Sequence, residues 1–457
     1  MIILRQNFKR ICNYKIRLAE KHGNLNDITM DSHTATNISW PPAKKFFFCF
    51  CFTYFFLYCF PFPFDSFEFT KPVAHPFYNF LDWLIPQIAA KLFHFKAKTA
   101  FPMFDKMDDS NYGLAFLYFN VIFSLVVAII WSVADRKRKN YEKLYQWLRL
   151  YLRYYLAAFL FGYGFIKVFP SQFQPITASR LTMSVGEQSP MLLAWNFMGY
   201  SVVMMRINGI AEVLAGLLLL FRRTTTVGAI LSACVFSFVV MMDFCFNVPV
   251  RLLASHLLLI SLFLVLEDRQ RLLNIFLLNK PTSSTVYTSL IASPVSRKIF
   301  GLLQATLAIC LLYSTIVNAA EAEKQDGQSS PHVPLYGVYN TAYFLRNNDT
   351  VPSIETDSLR WKQLVIDGNS WKQSGIIEFS TGKKFFCNIQ ADTVKKIMSI
   401  QSQSDSTEKY LFHYSLQNNS NILLKGFYKK DSIEVLMNKF DLNNYLLYKE
   451  KFKWISE

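Results

Sequence analysis

Apolar runs long enough to cross a bilayer fill much of the first 320 residues of this 457-residue chain, and they constrain its fold more than any other feature. In lipid every backbone N–H and C=O must be satisfied within the segment, so a run of about 20 apolar residues is committed to a helix. Seven segments read as spans: 45–64, 113–134, 148–169, 199–221, 227–246, 250–266 and 299–319. The first is interrupted by Pro61 and Pro63, and the fifth and sixth are joined only by Asn247, Val248 and Pro249, as in a tight helical hairpin. Composition agrees. Hydrophobic residues make up 52% of the chain and charged residues 18%, below the roughly 25% of a soluble domain, which excludes a soluble, disordered or collagen-like chain.

The net charge of +16 is uneven: residues 1–320 hold 31 Lys and Arg against 16 Asp and Glu, whereas residues 321–457 hold 17 against 16. Basic charge threaded between apolar runs is what the positive-inside rule produces, so no nucleic-acid partner is read from it; the partner is the lipid bilayer. The basic N-terminus, the run 136–139, the pair Arg222 and Arg223, and the connection 269–298 alternate along the chain, which places them together on the cytoplasmic side. The connections 65–112 and 170–198, and everything after Ala320, are then external, hence periplasmic in a cell with two membranes. Residues 1–44 form the basic cytoplasmic N-terminus, within which Met30 is an alternative start, and 45–147 hold the first two spans.

After Ala320 the texture changes. A polar linker at 321–331 leads into short alternating stretches at 338–345, 361–366, 376–380, 384–389, 410–416, 422–428 and 432–437, separated by turn residues such as Asp367-Gly368-Asn369 and Thr381-Gly382. Strands of this length and spacing predict a small antiparallel barrel over 332–457. Its aromatics, Trp361, Trp371, Phe385, Phe386, Phe427, Tyr428 and Trp454, read as core and rim, and Lys395-Lys396 and Lys429-Lys430 as solvated turns.

Eight cysteines without a CxxC make neither a disulfide scaffold nor a dithiol pair. There is no phosphate loop, HExxH or GxSxG, and the histidines never pair at metal-ligand spacing, so no metal site is expected. What stands out is polar residues inside spans, each of which is costly there and points to a function or a partner. Glu212, in Gly209-Ile210-Ala211-Glu212-Val213-Leu214-Ala215-Gly216, lies about 14 Å from the nearer end of its span, close to the midplane. It reads either as a protonated interhelical hydrogen-bond donor or as part of a site. Lys167 lies near the external end of the third span with Tyr163 one turn earlier, and either snorkels or reaches inward. Arg206, Asp243, Arg251 and His256 fall in the same outer half. Together these seven residues suggest a polar pocket with Glu212 as its floor, and Lys167 is the expected partner of Glu212. The rival is a structural ion-pair network of Asp243 with Arg206 or Arg251.

The Gly-rich third span ending in Lys167, the Gly-Ile-Ala-Glu-Val-Leu-Ala-Gly run, the Thr226-Val227-Gly228-Ala229 entry to the next span, and Ser255-His256-Leu257-Leu258-Leu259 followed by Asp268-Arg269 resemble the DoxX-like family of four-helix membrane proteins. The resemblance covers 148–275. It implies a four-helix inner-membrane bundle and, for some members, quinone-linked oxidoreductase complexes. A membrane bundle followed by an external β domain is also similar to the architecture of HTTM and vitamin K-dependent carboxylase proteins, from which no residue is carried over. In this reading 276–320 supply a cytoplasmic connection and the seventh span. Three function classes follow: a quinone-using oxidoreductase subunit, a non-catalytic scaffold or assembly factor whose β domain binds an exported protein, and a transporter, which the lack of an inverted repeat disfavours.

Overall fold

The structure, a computed structural model of the chain, describes residues 39–92, 94, 96, 108–282, 290–369, 373–418 and 420–449. Most of the basic N-terminus, including Met30, and the aromatics Trp371 and Trp454 lie outside the described residues.

Among the described residues eleven α-helices precede the β domain: α1 (Pro42–Cys59), α2 (Lys71–Leu92), α3 (Asn111–Ala134), α4 (Glu142–Val168), α5 (Ala178–Thr182), α6 (Pro190–Tyr200), α7 (Val202–Leu220), α8 (Thr225–Cys245), α9 (Arg251–Val265), α10 (Arg269–Phe276) and α11 (Pro294–Asp326). Among the described residues five segments, Pro42–Ser66, Asn111–Ala134, Val202–Leu220, Thr225–Cys245 and Pro294–Asp326, are long and apolar enough to cross a membrane, so the chain is a multi-pass membrane protein. The remaining two expected spans, 148–169 and 250–266, form α4 and α9. The first carries Arg149, Arg153 and Lys167, and the second is only 15 residues long. Both are the enclosed members of the bundle, with α4 burying Leu148, Leu152, Tyr155, Leu156, Leu160 and Phe161 at turn spacing.

Two connecting segments hold more helix than their sequence pattern marks. The connection 65–112 contains α2, a 22-residue helix that buries Ala74, Leu81, Ile85 and Ala89 at helical spacing and exposes Phe80 and Trp83. The linker 321–331 is helical as far as Asp326, because no breaker precedes Gly327 and the run Ala319-Ala320-Glu321-Ala322-Glu323-Lys324 consists of strong helix formers.

Glycines set the closest helix crossing. A Cβ at Gly209 of α7 would lie 2.6 Å from the Gly164 carbonyl oxygen and 2.8 Å from the Lys167 Cβ on α4. Small residues at facing positions let the two backbones meet, as is common where lipid removes the hydrophobic drive for helix association. One end of the bundle collects the segments expected on one side: the Trp40 amide donates to the Lys139 carbonyl (2.9 Å), Arg149 pairs with Glu267 (3.3 Å), and the Arg153 guanidinium donates to the Leu219 and Leu220 carbonyls (2.9 Å each).

The C-terminal domain is a closed eight-strand antiparallel barrel. Strands β1 (Gly337–Arg346), β3 (Trp361–Gly368), β4 (Gln373–Phe379), β5 (Lys384–Asp392), β6 (Ile397–Ser402), β7 (Lys409–Gln417), β8 (Asn421–Tyr428) and β9 (Asp431–Phe440) follow one another around it, and β1 pairs with β9 to close it. A two-residue β2 (Asp349–Thr350) extends the β1 edge, and a last helical turn, α12 (Leu446–Lys449), follows the barrel. The interior is filled by Trp361, Phe344, Phe412, Met398, Met437 and their neighbours, so this barrel is a packed core. At Gly375 even a Cβ would come 2.2 Å from the Ile389 side chain.

Alternation fails where the barrel is covered. In β3 the four consecutive residues Leu364, Val365, Ile366 and Asp367 are all buried, because α5 lies against the outer face there and Ala178 packs with Val338, Val365 and Ile376. The Asp367 carboxylate accepts from the Thr177 hydroxyl (2.6 Å), the Ser179 amide (3.0 Å) and the Ser179 hydroxyl. Around it, the Ala178 amide donates to the Tyr336 hydroxyl (2.9 Å), the Tyr448 hydroxyl donates to the Ile176 carbonyl (3.0 Å), and Lys384 pairs with Glu187 (2.7 Å). The connection 170–198 therefore holds the barrel to the bundle.

Candidate functional site

Gly164 and Gly209 each stand one helical turn before a charged residue, Lys167 on α4 and Glu212 on α7, so the close crossing sets those two side chains opposite one another. Lys167 Nζ donates to Glu212 Oε1 at 2.7 Å and Oε2 at 2.8 Å, and lies 3.4 Å from the Tyr163 carbonyl oxygen. Both residues are buried, at 6% and 4% exposure. A bidentate geometry of this kind offsets part of the large cost of removing two charges from water.

The pair borders a cavity of about 540 Å³ within the bundle, a size suited to a small organic ligand. Its walls come from α4 (Tyr163, Lys167), α7 (Asn208, Ala211, Glu212), α8 (among them Cys234, Phe238, Met242 and Asp243) and α9 (Leu253, Ala254, Leu257). Gln172, Phe173 and, on α6, Met191, Trp195 and Met198 close the side towards the barrel, so the segment that docks the barrel also covers the cavity. The lining is mostly apolar, with Lys167, Glu212 and Asp243 as its charged members. Asp243, 5% exposed, has an Oδ2 with no hydrogen-bond partner among the described residues, and the same holds for Gln172 Oε1.

The structure thus brings Tyr163, Lys167, Glu212 and Asp243 to one cavity and leaves three of the expected pocket residues elsewhere. Arg206 is exposed on α7, six residues before Glu212 and on another face. Arg251 pairs with Asp109 at the start of α3: its Nε and its backbone amide both donate to Asp109 Oδ2 (2.7 and 2.9 Å), and the Leu252 amide donates to Oδ1 (2.9 Å). The expected pairing of Asp243 with Arg206 or Arg251 is therefore absent among the described residues. His256 is enclosed between α9 and α1. Its Nδ1 lies 2.6 Å from the Leu252 carbonyl, which can only accept, so Nδ1 carries the proton and Nε2 accepts from the Tyr54 hydroxyl at 2.6 Å. Tyr58 stacks on the same ring at 4.0 Å. This cluster braces two helices away from the cavity wall.

Sequence reasoning did not find Gln172, Trp195 or Asp367. Gln172 lies in a connection with no periodic signal, and Trp195 in an apolar helix of only 11 residues, Pro190–Tyr200, too short to read as a span. For Asp367 a signal existed, since the unbroken apolar triplet Leu364-Val365-Ile366 marks a strand covered on both faces. Among the described residues no group of three or more His, Cys, Asp or Glu gathers as a metal-ligand set.

Fold and cavity together define a class: a multi-pass helical membrane protein with a mostly apolar cavity in its bundle and a C-terminal β-barrel domain. The chain belongs to the family of the uncharacterized protein YwoB of Bacillus subtilis (strain 168), with which it shares 33% identity over 116 residues, 25% of this chain and 73% of that protein. No family model matches the chain, and no solved structure matches it.

Proposed function

We propose that the bundle binds a lipid-soluble small molecule in this cavity, and that the molecule is of the quinone and quinol class, as in a quinone-linked oxidoreductase subunit. The observation that supports this reading is the chamber itself, about 540 Å³ of mostly apolar wall with buried polar groups along it. The residues fit such a head group: the Tyr163 hydroxyl and the Asn208 amide can donate to a quinone oxygen, and the Asp243 carboxylate can accept from a quinol hydroxyl. The DoxX-like resemblance of 148–275 points the same way. Purification in mild detergent, followed by extraction and an absorbance spectrum, tests it. Stoichiometric quinone supports the proposal, and its absence together with failure of added quinone to bind overturns it.

The membrane is proposed to be the inner membrane, with the N-terminus cytoplasmic and the barrel periplasmic. The basic segments gathered at the end of the bundle away from the barrel support that orientation. Alkaline phosphatase fused after Glu457 should be active and a fusion within 136–139 inactive; the reverse pair of results overturns it. A second reading, that the barrel docks an exported protein as a scaffold or assembly factor would, is favoured by Leu411 and Phe427, both exposed and on the neighbouring strands β7 and β8. Crosslinking from these positions in cells should capture a partner if it holds.

A further inference from the structure

The hydrogen-bonding groups around the cavity are unequally satisfied. Lys167 has an acceptor for each of its three ammonium protons, two on Glu212 and one at the Tyr163 carbonyl. The acceptors differ. Asp243 Oδ2 and Gln172 Oε1, from α8 and from the connection after α4, are buried atoms of cavity-lining residues and have no donor among the described residues. An unpaired buried carboxylate oxygen is costly, and rotation about χ2 lets Asp243 present either oxygen to the chamber. We infer that the cavity is built for a ligand with an apolar body and a hydrogen-bond-donating head, a hydroxyl or a protonated amine, and that Asp243 is the residue that selects it. Acidic amphiphiles are disfavoured, because the one cation in the lining is already neutralised by Glu212 and a second carboxylate faces the same space. This inference rests on the reading of the cavity as a ligand site and adds the polarity of the ligand to it.

Two fluorescent probes of nearly equal shape separate donor from acceptor: 1-naphthol, which donates, and 1-methoxynaphthalene, which only accepts. Titrated against the full-length protein in detergent, with detergent-only controls, 1-naphthol should bind about tenfold tighter or better, the range a hydrogen bond to a charged acceptor supplies. Asp243→Leu should bring the two probes within about threefold of each other while leaving the affinity for 1-methoxynaphthalene unchanged. Asp243→Asn, which keeps the shape and adds a donor, should also narrow the gap, and a cooperative melt of each variant shows that it is folded. Equal affinity of both probes for the parent protein overturns the donor assignment while leaving the cavity as a ligand site. Failure of both probes to bind overturns the cavity reading as well.

Discussion

Breaking the Lys167–Glu212 pair on one side should cost far more than removing it whole. Both side chains are almost fully buried, and Glu212 receives both of its close contacts, at 2.7 and 2.8 Å, from one ammonium group. Lys167→Met strips Glu212 of that partner inside the bundle, and Glu212→Leu strands the ammonium; losing one member of a buried pair costs about 3–5 kcal/mol. The double variant removes both charges and fills the space with apolar atoms, which is often neutral for buried pairs, so it should lie within about 2 kcal/mol of the parent. Simple addition of the single losses would instead give about 6–10 kcal/mol. Equilibrium unfolding of the four proteins in mixed micelles measures the difference. A double-variant loss equal to the sum within about 0.5 kcal/mol would refute coupling. A coupling of only about 0.6 kcal/mol, the average for interhelical hydrogen bonds in a membrane bundle, would refute the ion pair in favour of a neutral contact.

The docking of the barrel yields three further expectations. Asp367→Ala removes an acceptor shared by Thr177 and Ser179, which should loosen residues 176–182 by about 1–3 kcal/mol and speed tryptic cleavage after Arg180 by about tenfold or more; an unchanged cleavage rate counts against the docking role. The hydrogen bond from Lys384, and after it the Ser184 amide, hold Glu187 at about 2, below its ordinary 4.5, so their stabilisation is full above about 4.5 and fades as pH falls towards about 2; the protection of the Ser184 amide, its exchange rate relative to the intrinsic rate at each pH, should fall across that window in the parent and not in Glu187→Gln. The fragment 332–457 should melt cooperatively by itself because its core is closed by the β1–β9 pairing, and a peptide spanning 172–188 should raise its midpoint by covering Val338, Val365 and Ile376; a disordered fragment would show that the barrel depends on the bundle.

Much of this architecture is legible in the sequence where the physics is local. Seven of the eight barrel strands declare themselves as short apolar or alternating stretches between turn residues, and β6 does not: its six residues, Ile397–Ser402, follow Lys395-Lys396 and run into a stretch of Ser, Gln and Asp, so the pattern is too short to stand out. The meeting of Lys167 with Glu212 is readable because a carboxylate near the midplane needs a partner within side-chain reach, and the Gly209 to Gly216 spacing marks the face on which a helix can approach. The placements of Arg251 and His256 fail for the opposite reason. Their partners, Asp109 and Tyr54, stand 142 and 202 residues away along the chain, and no spacing rule links them. Hydropathy alone also understates α4. Arg149, Arg153 and Lys167 lower its apolar score, yet each finds a neighbour, in Glu267, in the Leu219 and Leu220 carbonyls and in Glu212, so a charge-bearing helix can still be one that the others enclose.

The connection 170–198 belongs to two interfaces at once. Gln172, Phe173 and Trp195 face the cavity, while Thr177, Ala178, Ser179 and Glu187, between them in sequence, face the barrel. A short connection of this kind would ordinarily be the most mobile part of a bundle, since it contributes few residues to the helix core. Here the barrel supplies what the bundle does not, with a buried carboxylate, an apolar patch on β1, β3 and β4, and an ion pair spread over about ten residues of the segment. No barrel residue among those described lines the chamber itself. The second domain is thereby tied, through one stretch of chain, to residues that line the cavity: Thr177, Ser179 and Glu187 bind the barrel, and Gln172, Phe173 and Trp195 on either side of them face the chamber.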